Sequence, residues 1–324
     1  MRLSRTHFVV GTRGSKLALE QANYVAALIK NTRKNLEVEV KVIKTSGDKI
    51  QDVALAKIGG KGLFTKELDK ELLDYHIDVA VHSMKDVPAE LDERLMIGSM
   101  PLREDVRDCV VMREGSSLDD LKEGARVGTG SLRRRAQLKR LRPDLELVNI
   151  RGNINTRLAK VLETKELDAV VLAAAGLNRL NLKDKISFYL NPEQMISAIG
   201  QGAIGIVCRT EDFYTQDIIS EFSSKSTFNA VMAEREIMKK LEGGCQAPMG
   251  AFARELPTQP KMLRIDAFVS SLDGSKRIKL EHSDLAQNYE ECGKHMADML
   301  LDAGAQEILD AASKEYETQD DHVE

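Results

Sequence analysis

A thiol, a carboxylate and a set of arginines are the side chains of this 324-residue chain best suited to chemistry. Cys245 sits in Glu242-Gly-Gly-Cys-Gln-Ala-Pro248, a loop signature that exposes the sulfur. From the residues alone it is either a reactive thiol or an inert loop cysteine. The other cysteines, 109, 208 and 292, fall in apolar runs or a helical pattern and read as small buried hydrophobes. The four show no CxxC pair and no metal-ligand spacing with the six histidines, so neither a zinc site nor a disulfide framework is expected. Asp86 lies in His82-Ser-Met-Lys-Asp-Val-Pro88, which leaves the end of a strand pattern. It is a candidate general acid or base, or else a turn-forming aspartate ahead of a proline. Lys85 beside it favours its ionised form.

The arginines and two serines suggest an anionic ligand. Between Arg126 and Lys160 there are ten Lys/Arg against two acids, a local net charge of +8 in a chain whose overall charge is −4. Ser15 and Ser131 occupy helix N-cap positions, where free N–H groups and the positive end of the helix dipole attract anions. Arg13 adds a cation at the first; Arg133 and Arg134 follow the second; Arg151 and Arg157 come just after another strand pattern. Arginine grips carboxylates through two parallel bonds, so the set suits a ligand with many carboxylates. A solvated basic helix face has the same composition. Nucleic acid is a further candidate, but residues 126–160 contain no aromatic ring to stack on a base, so none is expected as a partner.

Strand and helix patterns alternate through the first two thirds of the chain, around these residues. Val9-Val10 leads through Gly11-Thr-Arg-Gly-Ser15 into a helix over 17–30, then a strand over 38–43. Residues 46–62 lack a period, end rich in glycine and read as a long mobile loop. A helix over 64–73 and a strand over 77–82 follow. The pattern then recurs: Val127-Gly-Thr-Gly-Ser131 echoes the first turn, and Leu167-Asp-Ala-Val-Val-Leu172 echoes Ile77-Asp-Val-Ala-Val-His82. Two similar α/β domains are expected, facing each other, with ligand at the C-terminal ends of their strands. Crossings near 101–107 and 199–205 would make a double-crossing hinge. The expected domains are 1–99 with 200–218, 100–199, and a smaller α+β domain over 219–313. The last has a helix (228–241), the Cys245 loop, a strand pair joined at Asp273-Gly274 and a C-terminal helix. The acidic tail, 314–324, is expected to be disordered. No apolar run is long enough for a membrane span or a signal-peptide core, so a cytoplasmic location is expected.

Taken together the motifs resemble those of the hydroxymethylbilane synthase (porphobilinogen deaminase) family. They are Gly11-Thr-Arg-Gly-Ser15, Lys57-Ile-Gly-Gly-Lys-Gly-Leu-Phe64, His82 to Pro88, Arg103-Glu-Asp105, Gly128-Thr-Gly-Ser-Leu-Arg-Arg134, Arg151-Gly-Asn153 with Arg157, Ala173-Ala-Ala-Gly-Leu177, Gly200-Gln-Gly-Ala203 and Glu242-Gly-Gly-Cys-Gln246. They occur in the family's order from about residue 8 to residue 312. The resemblance implies an α/β fold of three domains, the first two like type II periplasmic-binding-protein domains. It implies a covalent dipyrromethane cofactor, joined by a thioether to Cys245. It also implies the head-to-tail condensation of four porphobilinogen molecules with loss of four ammonia, then hydrolysis to hydroxymethylbilane, in porphyrin and heme biosynthesis. Asp86 would be the catalytic group. Arg13, Ser15, Ser83, Lys85, Thr129, Ser131, Arg133, Arg134, Arg151 and Arg157 would hold cofactor and substrate. Gln21, Gln201 and Gly202 would line the cleft, Phe64 would stack on a pyrrole and Lys61 would close over it. A monomer without a metal is implied. One departure stands out: Gly130 replaces a serine common in the family. Losing that hydroxyl removes about 1 kcal/mol of neutral hydrogen bonding at most.

Two rivals share parts of this pattern. A solute-binding protein would have two similar hinged domains but no need for the Cys245 loop or Asp86. A nucleic-acid-binding protein would show salt-sensitive binding to DNA or RNA.

Overall fold

A computed structural model describes residues 6–45, 65–241 and 247–320. The 46–62 loop lies outside these, as do Phe64 and Cys245; Lys61 falls within that loop. The chain is mixed α/β and divides into two compact units, one of residues up to Glu104 with Gly202–Phe228, the other of Asp105–Gln201 with the residues from Asn229 onward.

The first unit holds β1 (His7–Thr12), α1 (Lys16–Thr32), β2 (Glu37–Val42), α2 (Lys66–Leu73), β3 (Val79–Ser83) and β4 (Leu95–Ser99). The second holds β5 (Asp108–Met112), β6 (Arg126–Gly128), α3 (Leu132–Leu141), β7 (Glu146–Val148), α4 (Ile154–Leu162), β8 (Ala169–Ala173), α5 (Ala174–Arg179) and β9 (Phe188–Leu190). The chain then returns to the first unit as β10 (Ile204–Arg209) and α6 (Phe213–Ser220), and runs through α7 (Lys225–Lys240) to the last sheet. That sheet is β11 (Met249–Leu256), β12 (Gln259–Ser270) and β13 (Arg277–Leu285), followed by α8 (Tyr289–Asp302) and α9 (Ala305–Asp320).

The first sheet has the order β2-β1-β3-β10-β4, the second β7-β6-β8-β5-β9. The two orders correspond strand for strand. In each, the first three strands of the order run parallel and the fourth, laid antiparallel between them and the fifth, is the first strand after a crossing. The echoed sequence segments fall on matching strands, β1 with β6 and β3 with β8. Ala22, Val25, Ala26 and Ile29 of α1 bury the first sheet's Phe8, Val10, Val79 and Val81. In the second sheet, β5 alternates with period two: Val110 and Met112 enter one core and Cys109 and Val111 the other, so both faces are covered.

The third sheet is antiparallel throughout and shares its unit with the second. The contact is close. Gly274, at φ +76°, packs against the Ala136 carbonyl and the Arg140 backbone of α3, and Gly250 packs against the Ser197 carbonyl and the Arg133 side chain. A Cβ at either position would collide. The strand β11 is missing from the sequence reading. So is the extent of α9, which reaches Asp320, so that much of the tail expected to be disordered is helical. Leu309 and Ala312 bury its inner side.

Candidate functional site

The residues of the first unit cluster at the C-terminal ends of its parallel strands. Arg13 follows β1, half-buried, and Ser15 caps α1, its Oγ accepting from the Ala18 N–H at 3.3 Å. Buried Gln21 on α1 donates through Nε2 to Ser83 Oγ at 2.9 Å, fixing the last residue of β3. A single 3₁₀ turn over Met84–Asp86 follows. Met84 is buried, its N–H donates to the Ala203 carbonyl at 3.0 Å, and its side chain fills the space left by Gly205. Val87, also buried, donates to the Met84 carbonyl at 3.2 Å. Two anchors thus pin a backbone that holds Lys85 half-buried and displays Asp86 to solvent. The turn-forming reading of Asp86 explains the local geometry; it does not require the anchoring on both sides.

His82, one residue before Ser83, is buried, and its Nε2 has no hydrogen-bond partner among the described residues. Burial, and then the charge of Arg13, bring its pKa down to about 4.

In the second unit, Thr129 is buried and its Oγ1 accepts from the Ser131 N–H at 3.3 Å. Ser131 caps α3, its Oγ accepting from the Arg134 N–H at 3.4 Å. Asn153 caps α4 in the same way, accepting from the Thr156 N–H at 3.0 Å. Two capped helix N-termini therefore follow the parallel neighbours β6 and β7. Arg151 and Arg157 lie half-buried beside the second, with Arg157 Nε donating to the Gly152 carbonyl at 2.8 Å. At Gly130 a Cβ would lie 2.8 Å from the Ile150 carbonyl oxygen, so a serine here requires the backbone after β7 to move.

Arg133, Arg134 and Gln201 are placed differently from the expectation. All three are buried, and all three bind Asp108 rather than facing a ligand. Arg133 donates to Asp108 Oδ2 at 2.7 Å and to the Ile196 carbonyl at 2.6 Å. Arg134 donates to Asp108 Oδ1 at 3.0 and 2.8 Å and to the Val171 carbonyl at 2.9 Å. Gln201 donates to Asp108 Oδ1 at 3.0 Å and to the Val106 carbonyl at 2.8 Å. The reason is that Asp108, 0% exposed, opens β5 beside the first turn of α3. Its burial raises its pKa, and the charges of Arg133 and Arg134 with the Gln201 bond reverse that, holding it at about 2. Asp108 was missed from sequence. The signal is a charge at the head of the fully apolar strand Cys109-Val-Val-Met112, which demands a buried cation. Gly202, buried at φ +85°, accepts through its carbonyl from the Glu104 N–H at 3.1 Å, joining the two crossings.

Burial also disposes of three thiols. It pushes Cys109 and Cys208 up to about 12 and Cys292 up to about 11, so they stay protonated at neutral pH. Cys245 lies outside the described residues, between α7 and β11. No helix among the described residues is long and apolar enough to cross a membrane.

Similarity to known proteins extends over most of the chain. Residues 8–217 match the porphobilinogen deaminase dipyrromethane cofactor binding domain, and 228–302 the porphobilinogen deaminase C-terminal domain. The chain belongs to the porphobilinogen deaminase family. It is 46% identical over 301 residues to the porphobilinogen deaminase of Syntrophobacter fumaroxidans, covering 93% of this chain and 96% of that one. It is 47% identical over 300 residues to that of Geotalea uraniireducens, covering 93% of each. Among solved structures it is similar to a putative methionine-binding lipoprotein of Bacillus subtilis, at 19% identity and a TM-score of 0.41, covering 74% of this chain and 96% of that one.

Two predictions concern the buried charges. Asp108→Asn leaves two buried guanidinium groups short of their counter-charge and lowers unfolding free energy by about 3–5 kcal/mol. Urea titration at pH 7 reads this, and a loss below about 1 kcal/mol would contradict the assignment. His82 has a depressed folded pKa, so its contribution is complete above the unfolded value near 6.5 and is lost as pH falls toward about 4. Between those limits the unfolded chain binds a proton that the folded chain refuses, costing about 3 kcal/mol. His82→Phe should flatten stability over that window; an unchanged acid slope would refute this.

Proposed function

We propose that the chain is a cytoplasmic, monomeric hydroxymethylbilane synthase that condenses four porphobilinogen molecules, releasing four ammonia, and hydrolyses the product to hydroxymethylbilane. What carries this reading is the display of Asp86 between two buried anchors, in a chain that both family models match. Porphobilinogen brings an acetate and a propionate, so each unit added brings two negative charges. In this reading Arg13, Ser15 and Lys85 of the first unit are donors for such charges, as are Thr129, Ser131, Arg151 and Arg157 of the second. The two capped helix N-termini supply N–H donors suited to carboxylates. Arg133, Arg134 and Gln201 act through Asp108, by holding α3 in place.

The dipyrromethane, when attached, supplies the nucleophilic pyrrole carbon to which the first substrate is joined. The residues present fit such a group: two helix N-termini and the Arg151–Arg157 pair form a donor set for its carboxylates. Cys245 remains the candidate attachment point, since the three described thiols are buried and protonated.

Asp86 acts on the incoming substrate. Loss of ammonia leaves a cationic methylene-pyrrolenine, and a carboxylate facing the pyrrole N–H stabilises that charge as it forms. The same carboxylate receives the proton lost from the ring carbon after coupling. The fixed turn matters because a carboxylate held in place needs no reorganisation when charge appears. Nucleic acid has no part in this reading, since carboxylates account for the basic residues.

Asp86→Asn should fold and keep its attached cofactor while losing turnover by 10²-fold or more, on the order of 3 kcal/mol in the barrier. Ammonia release from porphobilinogen measures it. A rate within threefold of the parent would remove Asp86 from the chemistry.

A further inference from the structure

Arg277 and Arg140 lie outside the groups considered so far. The turn between β12 and β13 sits on α3 at Gly274, which brings Arg277, the first residue of β13, to Arg140 in the last turn of α3. The two cations act on each other: burial, and then the charge of Arg140, lower the pKa of Arg277. Like charges drawn together in one unit cost free energy unless something between them is negative.

No carboxylate of the chain fills that place among the described residues. Asp273, in the turn, is engaged by Ser271 Oγ at 2.5 Å, Ser275 N at 3.0 Å and Ser275 Oγ at 2.9 Å. Lys139, next to Arg140, donates to the Pro143 and Leu145 carbonyls at 3.1 and 2.6 Å. By contrast, Nε and Nη2 of Arg277 are both buried with no hydrogen-bond partner among the described residues. These two atoms form one edge of the guanidinium, the edge that presents two parallel N–H bonds to a carboxylate or phosphate. The plane is steadied from below by Phe268, whose ring centroid lies 5.5 Å from the guanidinium carbon. Arg140 is exposed.

We propose that Arg277 and Arg140 form a binding site for a small oxyanion, of the phosphate or carboxylate class, which bridges α3 to the β12–β13 hairpin. The oxyanion takes two bonds from the Nε–Nη2 edge of Arg277 and one from Arg140, which swings aside to admit it. Its charge turns the repulsion between the two arginines into attraction to a common centre. Since α3 is capped at its other end by Ser131, the occupied site stiffens the helix from its far end.

The test uses the full-length purified protein in two arms, inorganic phosphate and succinate, each titrated at fixed pH against sodium chloride of matched ionic strength. The reading is the thermal midpoint of the parent, Arg277→Gln, Arg277→Lys, Arg140→Gln and Arg135→Gln. A ligand bound only by the folded state raises the midpoint in a saturable way. The expected result is a rise of a few degrees in the parent and in Arg135→Gln. It should fall to half or less in both Arg277→Gln and Arg140→Gln, and in Arg277→Lys, which keeps the charge but not the fork. Without either anion, Arg140→Gln should melt no lower than the parent, because a repulsion has been removed. Phosphate dependence alone identifies a phosphate site, and succinate dependence alone a carboxylate site. No saturable rise in either arm, a rise of equal size in all variants, or loss in only one of the two positions would overturn the proposal.

Discussion

Asp108 is a carboxylate with no exposed surface, and the arrangement of the second unit depends on its being ionised. An isolated charge in that position would cost several kcal/mol. Arg133, Arg134 and Gln201 offset the cost with four side-chain bonds to its two oxygens. Those bonds tie together the head of β5, the first turn of α3, the carbonyl of Val171 on β8 and the return crossing. Two guanidinium groups against one carboxylate leave the cluster at net +1. That charge lies buried at the N-terminal turn of α3, beside the Ser131 cap, where it adds to the helix dipole in favouring an anion. Both arginines spend N–H groups within the chain, while Arg133 Nε has no hydrogen-bond partner among the described residues.

The first unit shows the complementary device. There the buried groups are largely apolar, Met84 and Val87, and their task is to keep the backbone of one exposed carboxylate still. The matching sheet orders of the two units give each a set of parallel strands whose ends carry a capped helix. The same architecture thus carries different groups: an exposed carboxylate on a fixed turn in one unit, and in the other two capped helix N-termini with Arg151 and Arg157 beside the second.

Much of this was legible in the sequence because it rests on local rules. Ser15 and Ser131 are caps, Asp273-Gly274 turns a hairpin, and cysteines 109, 208 and 292 are buried, each as its neighbours in sequence require. The two crossings were visible from their glycine spacing and charge. What was not legible depends on contacts between distant residues. Arg133 and Arg134 look like ligand cations until Asp108, 25 and 26 residues away, is placed against them. The strand β11 is short of β-branched residues. It is held by pairing with β12 and by Glu234, which accepts from the Ala253 N–H at 2.8 Å and from the Gly200 N–H at 2.7 Å. The helix α9 has an acid-rich end that sequence alone assigns to disorder, and its buried Leu309 and Ala312 extend order into it.

The central claim is that this chain builds hydroxymethylbilane on a primer fixed to Cys245. Intact mass of the freshly purified protein, alongside Cys245→Ser, tests it most directly. The account predicts an excess over the chain mass equal to two linked pyrrole units, absent from the variant, with further units added when the parent is incubated with porphobilinogen. A parent that shows the bare chain mass both before and after that incubation, or a variant that still carries the two units, would contradict it.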